Sequence, residues 1–258
     1  MKTKYLLYSL LLLALGVPAT SCKQFEMSYY DQPVAINFIG SDNYNRDIDT
    51  PSSLKNSLNF AQRILLMTDS GIDTIEVKIR LQGYLSNKAL RVSLYSERDE
   101  NYPFAEARPT NPYIFEDSTY RMVIKVPVVC PSERNQDFKA ILKFDYANSD
   151  VIAGSNTLQS YEITLRDEFN ISQTNITLAT WNSSYASVIG PYSENKARFM
   201  VKAIGQYNFS SYFPSGPGTA ANAVKLQQLR DDLAAYNDAH PGNPLKDEHG
   251  VPILFYPD

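Results

Sequence analysis

The sequence is poor in the residues that usually announce chemistry. Its 258 residues include two cysteines, Cys22 and Cys130, so no disulfide framework can be drawn and the fold must rest on its core. Cys130, within Val126-Pro-Val-Val-Cys-Pro131, reads as a small buried apolar residue and not as a reactive thiol. Two histidines occur, His240 and His249, with Asp247 and Glu248 beside the second. A zinc site needs three or four converging ligands, and the sequence has no H-x₃-H or C-x₂-C spacing, so both histidines are expected on exposed loops with no metal or cofactor. Lys and Arg number 24 against 28 Asp and Glu and form no basic stripe, which argues against nucleic acid as a partner. G-x-S-x-G, H-E-x-x-H, phosphate-loop and dinucleotide signatures are all missing, which leaves the usual hydrolase, zincin and nucleotide chemistries without support. Glycoside hydrolysis needs two carboxylates at a set separation, and any pair picked from 28 would be arbitrary. No catalytic residues are assigned.

What is present belongs to a folded protein. Hydrophobic residues make up 43%, aromatics 12% and charged residues 20%, enough for one sizeable core or two modest ones. Tyrosine, at 18, is abundant and suits strands and amphipathic surfaces.

The N-terminus reads as an address. Met1-Lys-Thr-Lys4 is a positive start, an apolar leucine-rich run follows over 5–17, and Ala19-Thr-Ser21 supplies small residues for cleavage. The run is shorter than the roughly 20 apolar residues of a membrane-spanning helix, and no later segment approaches that length. Cys22, directly after Ala19-Thr-Ser21, resembles the cysteine of the bacterial lipobox, whose sulfur receives a diacylglyceryl group. Ala19 stands where that motif usually has leucine, so cleavage by an ordinary signal peptidase, leaving a free thiol, is the competing reading. The expected organisation is a signal peptide over 1–21 and an anchor and tether over 22–32. The formal charge of −4 falls by two more when Lys2 and Lys4 leave with the leader. Two or more acyl chains make membrane attachment stable where one is marginal.

From residue 33 the pattern is that of strands. Over 73–83, Ile75, Val77, Ile79 and Leu81 share one face while Glu76, Lys78 and Arg80 share the other, and Gly83 closes the run. Further strands are expected over 34–39, 58–67, 90–96, 120–129, 138–146 and 161–169; the segment 58–67 also fits a helix face. Pro127 would interrupt a central ladder and calls for an edge position or a bulge. No helical pattern falls between these strands, so the expected fold is mainly β with a C-terminal α-containing region: an antiparallel immunoglobulin-like β-sandwich over 33–170, then a small helical and loop region over 171–258. Ser193 is an expected N-cap, with Ala197, Met200, Val201 and Ile204 on one helix face and Gly205 as the stop. A second helix is expected over 220–238 with a seam of Leu226, Leu229, Leu233 and Tyr236, and the run 251–256 is expected to dock back.

Several segments together resemble the Bacteroidetes lipoprotein family catalogued as domain of unknown function 4843. They are the lipoprotein start, the strand ending Arg80-Leu-Gln-Gly83, the strand ending Ile163-Thr-Leu-Arg-Asp-Glu168, the segment 181–205 with Pro191-Tyr-Ser193 and Lys196-Ala-Arg-Phe199, and the closing Leu245-Lys-Asp-Glu-His-Gly-Val-Pro-Ile-Leu-Phe255. The resemblance implies an outer-membrane-associated lipoprotein encoded beside SusC-like TonB-dependent transporters and SusD-like lid proteins that capture glycans or peptides. It implies no catalytic residues.

The expected function is therefore a non-enzymatic surface lipoprotein, held in the membrane by lipid on Cys22, that binds a glycan or peptide or docks on a SusC/SusD-like importer. The alternatives are a structural or assembly lipoprotein without ligand, or a hydrolase acting on glycans or peptides. Trp181, Tyr207, Tyr212 and Phe213 are the candidate ligand or partner surface; the competing reading has them packing the helical region against the sandwich. An exposed aromatic strip would favour binding, a cleft with two facing carboxylates hydrolysis, and a large apolar patch docking.

Overall fold

Apolar side chains at every second position, the rule that singles out 73–83, build both walls of the larger core. The computed structural model describes residues 33–42, 46–67, 70–83 and 87–256. The leader, Cys22 and the tether lie outside the described residues. The strands are β1 Ala35–Ser41, β2 Asp47–Ile48, β3 Lys55–Asn59, β4 Ile72–Gln82, β5 Leu90–Val92, β6 Leu94–Arg98, β7 Tyr113–Phe115, β8 Arg121–Val129, β9 Asp137–Phe144, β10 Ile152–Ala153 and β11 Ser160–Arg166.

They form an immunoglobulin-like β-sandwich. One sheet has the order β10-β1-β4-β8, with β2 paired to β1, and the other the order β3-β11-β9-β6; β5 and β7 make a small ribbon. Pairing is antiparallel except for β1 with β10 and β3 with β11, both at sheet margins. Register puts Phe38 opposite Ile79, and Val77 opposite Ile124, so one inner face is continuous across three strands. On the facing sheet Ala140 pairs with Ile163 and Leu142 with Tyr161. The two faces meet where Phe38 stacks on Phe144, ring centroids 4.2 Å apart.

Pro127 sits on β8, the last strand of its sheet, as its chemistry requires. Its carbonyl accepts from the Arg108 amide, on the side away from β4. In an antiparallel strand a residue's N–H and C=O point the same way, so the missing N–H falls outside the β4 ladder and breaks no bond in it.

The segment 58–67 departs from the expected strand. β3 ends at Asn59, whose side-chain oxygen accepts from the Ala61 amide and starts a 3-10 turn, Phe60–Gln62. The turn splits two neighbours between two cores: Phe60 enters the sandwich and Ala61 the helical region, both fully buried.

The second region begins with a 3-10 turn, Ile171–Thr174, and an irregular helix, α1 Leu178–Thr180, a π-helical turn Trp181–Tyr185 and α2 Ala186–Ile189. Then come α3 Glu194–Ile204, α4 Phe209–Tyr212 and α5 Ala223–Ala239. α3 starts where expected: the Ser193 hydroxyl accepts from the Lys196 amide at 3.0 Å, with Glu194 in the first turn. It stops at Gly205, left-handed at φ 70°, a conformation that strains any side chain. Leu226, Leu229 and Leu233 of α5 are buried as one seam. The C-terminal run returns as a strap. Ile253 and Phe255 are buried, and the Ile253 and Tyr256 amides donate to the Leu245 and Val188 carbonyls. Among the described residues no helix is long and apolar enough to cross a membrane.

Candidate functional site

The four aromatic residues that were candidates for a ligand or partner surface do not form one. Trp181 is fully buried and Phe213 is 1% exposed, so both are corrected to core positions. The physical reason is that the indole has its polar atom satisfied inside: Nε1–H donates to the Gly190 carbonyl at 3.1 Å, which removes the cost of burying it. Tyr185 stacks on Trp181 at 5.6 Å, Tyr192 meets it edge-on at 5.4 Å, and Phe213 meets Tyr185 edge-on at 6.1 Å.

Tyr207 and Tyr212 are half-buried. The Tyr207 hydroxyl donates to the Ala61 carbonyl at 3.0 Å and accepts from the Ile64 amide at 2.9 Å, so its polar end is committed to the 3-10 turn after β3. Burial raises its pKa above the ordinary tyrosine value. Tyr212 lies edge-on to Phe213 at 4.7 Å and carries the Lys225 ammonium 5.0 Å from its ring centre. Tyr207 thus fastens the helical region to the sandwich, the competing role weighed above.

Fastening these parts together leaves a groove. It encloses about 590 Å³ between the sandwich and helices α3 and α5. Ile64, Phe199, Tyr236 and Leu245 supply half-buried apolar walls, while Arg134 and Lys202 stand exposed at its mouth. Phe199 and Tyr236 hold each other edge-on at 6.2 Å. Behind them Arg198 donates to Asp167 and to Glu194, each at 2.7 Å. Arg134 reaches Asn195 at 2.5 Å and Asp167 at 3.5 Å. Asp167 is 5% exposed and follows β11, so this network pins the first turn of α3 to the end of the sandwich. An ion network that buried adds less stability than geometric definition, because desolvation offsets most of the attraction.

Among the described residues that line the groove, Asp232 supplies a carboxylate, beside the cations Arg134, Arg198 and Lys202. No linear motif announced it, since its walls come from the turn after β3, the β8–β9 connection, α3, α5 and Leu245. The seam of α5 pointed at Tyr236 alone.

Elsewhere the titratable groups have structural work. Lys196 is 4% exposed, and its ammonium donates to the Ile189 and Pro191 carbonyls, each at 3.0 Å. Burial pushes its pKa down to about 8, with Asp247 pulling weakly the other way. Cys130 is half-buried against the sandwich core, and burial, helped by nearby Asp167, pushes its thiol up to about 11. His240 and His249 are exposed, and no group of three or more metal-binding side chains occurs among the described residues.

No family model matches the chain, and no curated protein matches it. Several solved structures share part of its outline. The apo-form Calx CBD1 domain aligns at 10% identity and a TM-score of 0.35, over 54% of this chain and all of that one. The Calx CBD2 domain aligns at 11% and 0.30, over 52% and 86%. EndoBT-3987 of Bacteroides thetaiotamicron with Man5GlcNAc product aligns at 6% and 0.31, over 45% of this chain and 29% of its own. Likenesses of this degree carry no function across.

Proposed function

We propose that this chain is an outer-membrane-associated surface lipoprotein, held by lipid on Cys22, that captures a glycan or peptide, or a segment of a SusC/SusD-like importer, without turning it over. The observation that carries the capture reading is the groove beside α3 and α5. Its volume of about 590 Å³ lies in the range of small-ligand sites, and it joins apolar walls to a few charged groups. Location rests on the leader, on Cys22 after Ala19-Thr-Ser21, and on the family resemblance.

The test has two arms. In native envelopes, wild type partitions with membranes and incorporates labelled fatty acid, whereas Cys22→Ser does neither; a variant that stays in the membrane ends the anchoring claim. In detergent, the full-length lipidated protein is titrated with neutral glycan and peptide panels and used in pull-downs from its own membranes. Retention of a ligand or transporter supports capture, and Tyr236→Ala weakens groove binding about tenfold. Failure of every panel and of the pull-down removes the capture reading.

A further inference from the structure

The sheet β3-β11-β9-β6 has one face in the core, where Leu94, Ala140, Leu142, Phe144, Ile163 and Leu165 are at most 4% exposed. Strand alternation therefore turns Tyr95, Glu97, Lys139, Ile141, Lys143 and Glu162 outward. Register sets them in rows: Tyr95 is paired with Lys143 and Glu97 with Ile141. Beyond β6 the chain bulges and returns, so that Phe104 bridges Lys139. Paired residues share a face, so Tyr95, Glu97 and Phe104 line the outer side of β9 in that order. Lys139 and Lys143 are four residues apart, which separates the two rings by about 13 Å along the strand at ~3.3 Å per residue.

The rings are available. Tyr95 is 45% exposed, Phe104 41% and Tyr102 37%, whereas Trp181 and Phe213 are in the core. Tyr102 joins the strip because the Lys139 ammonium sits 4.1 Å from its ring centre, which holds the ring over the sheet. The charges between the rings are already matched: Lys139 pairs with Glu162 at 3.3 Å and Lys143 pairs with Glu97. Both cations are matched, and Asp99 adds a further carboxylate near Lys139, so the strip has no positive excess and sets donors and acceptors side by side.

From this we infer that the outer face of β6 and β9 binds a neutral linear oligosaccharide, its sugar rings stacking on Tyr95 and Phe104 and its hydroxyls bonding to Glu97, Lys139 and Lys143. The inference deepens the capture reading and rests on it. A sugar presents an apolar C–H face to an aromatic ring and hydroxyls at its edge, which suits rings separated by charged hydrogen-bonding groups. A protein partner would need a contiguous apolar centre in a patch of about 800 Å² per side, and the ion pairs interrupt that. An anionic polymer would find no positive excess to draw it in.

The experiment titrates the full-length lipidated protein in detergent with neutral linear hexasaccharides of α- and β-linked backbones, and with a uronate hexasaccharide of equal length, by calorimetry. At least one neutral oligosaccharide binds, the uronate binds more weakly, and Tyr95→Ala and Phe104→Ala each weaken binding about tenfold with unchanged circular dichroism and melting. Unchanged affinity in both variants overturns the inference. If glycan binding is lost in Tyr236→Ala but kept in those two, the ligand lies in the groove: the face is wrong and capture stands. If peptides bind and no glycan does, the face is again wrong and capture stands, whereas silence from all panels and the pull-down removes both.

Discussion

The sandwich and the helical region bury their apolar residues by opposite means. Between the sheets the core is built mostly of aliphatic side chains on regular ladders, and the ladders satisfy the backbone. The helical core is built around rings, Trp181, Tyr185, Phe209 and Phe213 on or beside short π and α turns and Phe255 on the strap, where irregular backbone leaves carbonyls unpaired. There, side chains supply the missing donors. Trp181 Nε1 serves Gly190, Lys196 Nζ serves Ile189 and Pro191, and Asn222 Nδ2 serves Pro214 and Gly216. Even Gly190 is part of this arrangement: at φ 88°, a Cβ there would meet the Lys196 ammonium at 2.9 Å. Regular backbone needs only the right apolar period, whereas irregular backbone needs particular polar atoms at particular places.

The largest effect that can break this contrast comes from Trp181→Ala. It removes the ring at the centre of the second core and the donor to Gly190, and should cost about 3–5 kcal/mol. Hydrogen exchange should show protection lost across α1 to α3 and α5 while β9 and β11 keep theirs. Ile163→Ala, on β11, costs about 2–5 kcal/mol and should loosen both regions, because the helical one is pinned to the sandwich at Asp167 and Ala61. Identical exchange patterns in the two variants would mean that the cores unfold as one, and the contrast would fail.

The same contrast explains what the sequence made legible. Alternation was enough for β4, β8 and β9, because a regular strand writes its buried face into every second residue. Capping and seam rules sufficed for α3 and α5, from Ser193 to Gly205 and from Leu226 to Leu233. Burial of Trp181 and Phe213 was legible only as one of two readings, because a ring's exposure depends on which distant carbonyl accepts its N–H and which rings close around it. Phe60 and Ala61 illustrate the same point, being adjacent yet assigned to different cores by a turn that one asparagine side chain begins. The groove was hidden for a related reason, since residues as far apart as Ile64 and Leu245 meet there only in the tertiary fold, beside the bond from Tyr207 to the turn.

A second test uses pH to isolate one of the substitute donors. Lys196 falls from an ordinary 10.5 to about 8 in the fold, so between those values the unfolded chain holds a proton that the native one has released. Stability contributed by this group therefore rises as pH goes from 8 towards 10.5, the penalty for a buried charge being fully present below 8. Cys130 has the opposite slope, because its thiol is raised from 9 to about 11 and its contribution is lost as pH climbs through that span. In a Cys130→Ala background, urea unfolding at pH 7, 8 and 9, below the range where the buried tyrosines, raised to about 12, begin to pull the other way, should show stability increasing upward from 8. Adding Lys196→Met should abolish that slope, and the loss from orphaning the Ile189 and Pro191 carbonyls should show most at pH 9, where the native lysine no longer bears the full penalty of a buried charge. A slope that survives the methionine would assign the titration elsewhere and sever the link between Lys196 and the irregular backbone.

The smallest expected effect concerns a helix end in this region that local rules describe. Ser193→Ala removes the hydroxyl that accepts from the Lys196 amide and should cost about 1 kcal/mol. Asn195 supports the same turn by separate bonds, its amide donating to Glu248 at 2.6 Å and its side chain to the Lys246 carbonyl at 2.8 Å. Exchange should therefore quicken at Lys196 alone among the first-turn amides, with Asn195 still protected. If Asn195 quickens as well, the cap organises the whole turn and the strap follows it; if neither changes, tertiary bonds hold even this helix end and the local rule only happened to agree with them.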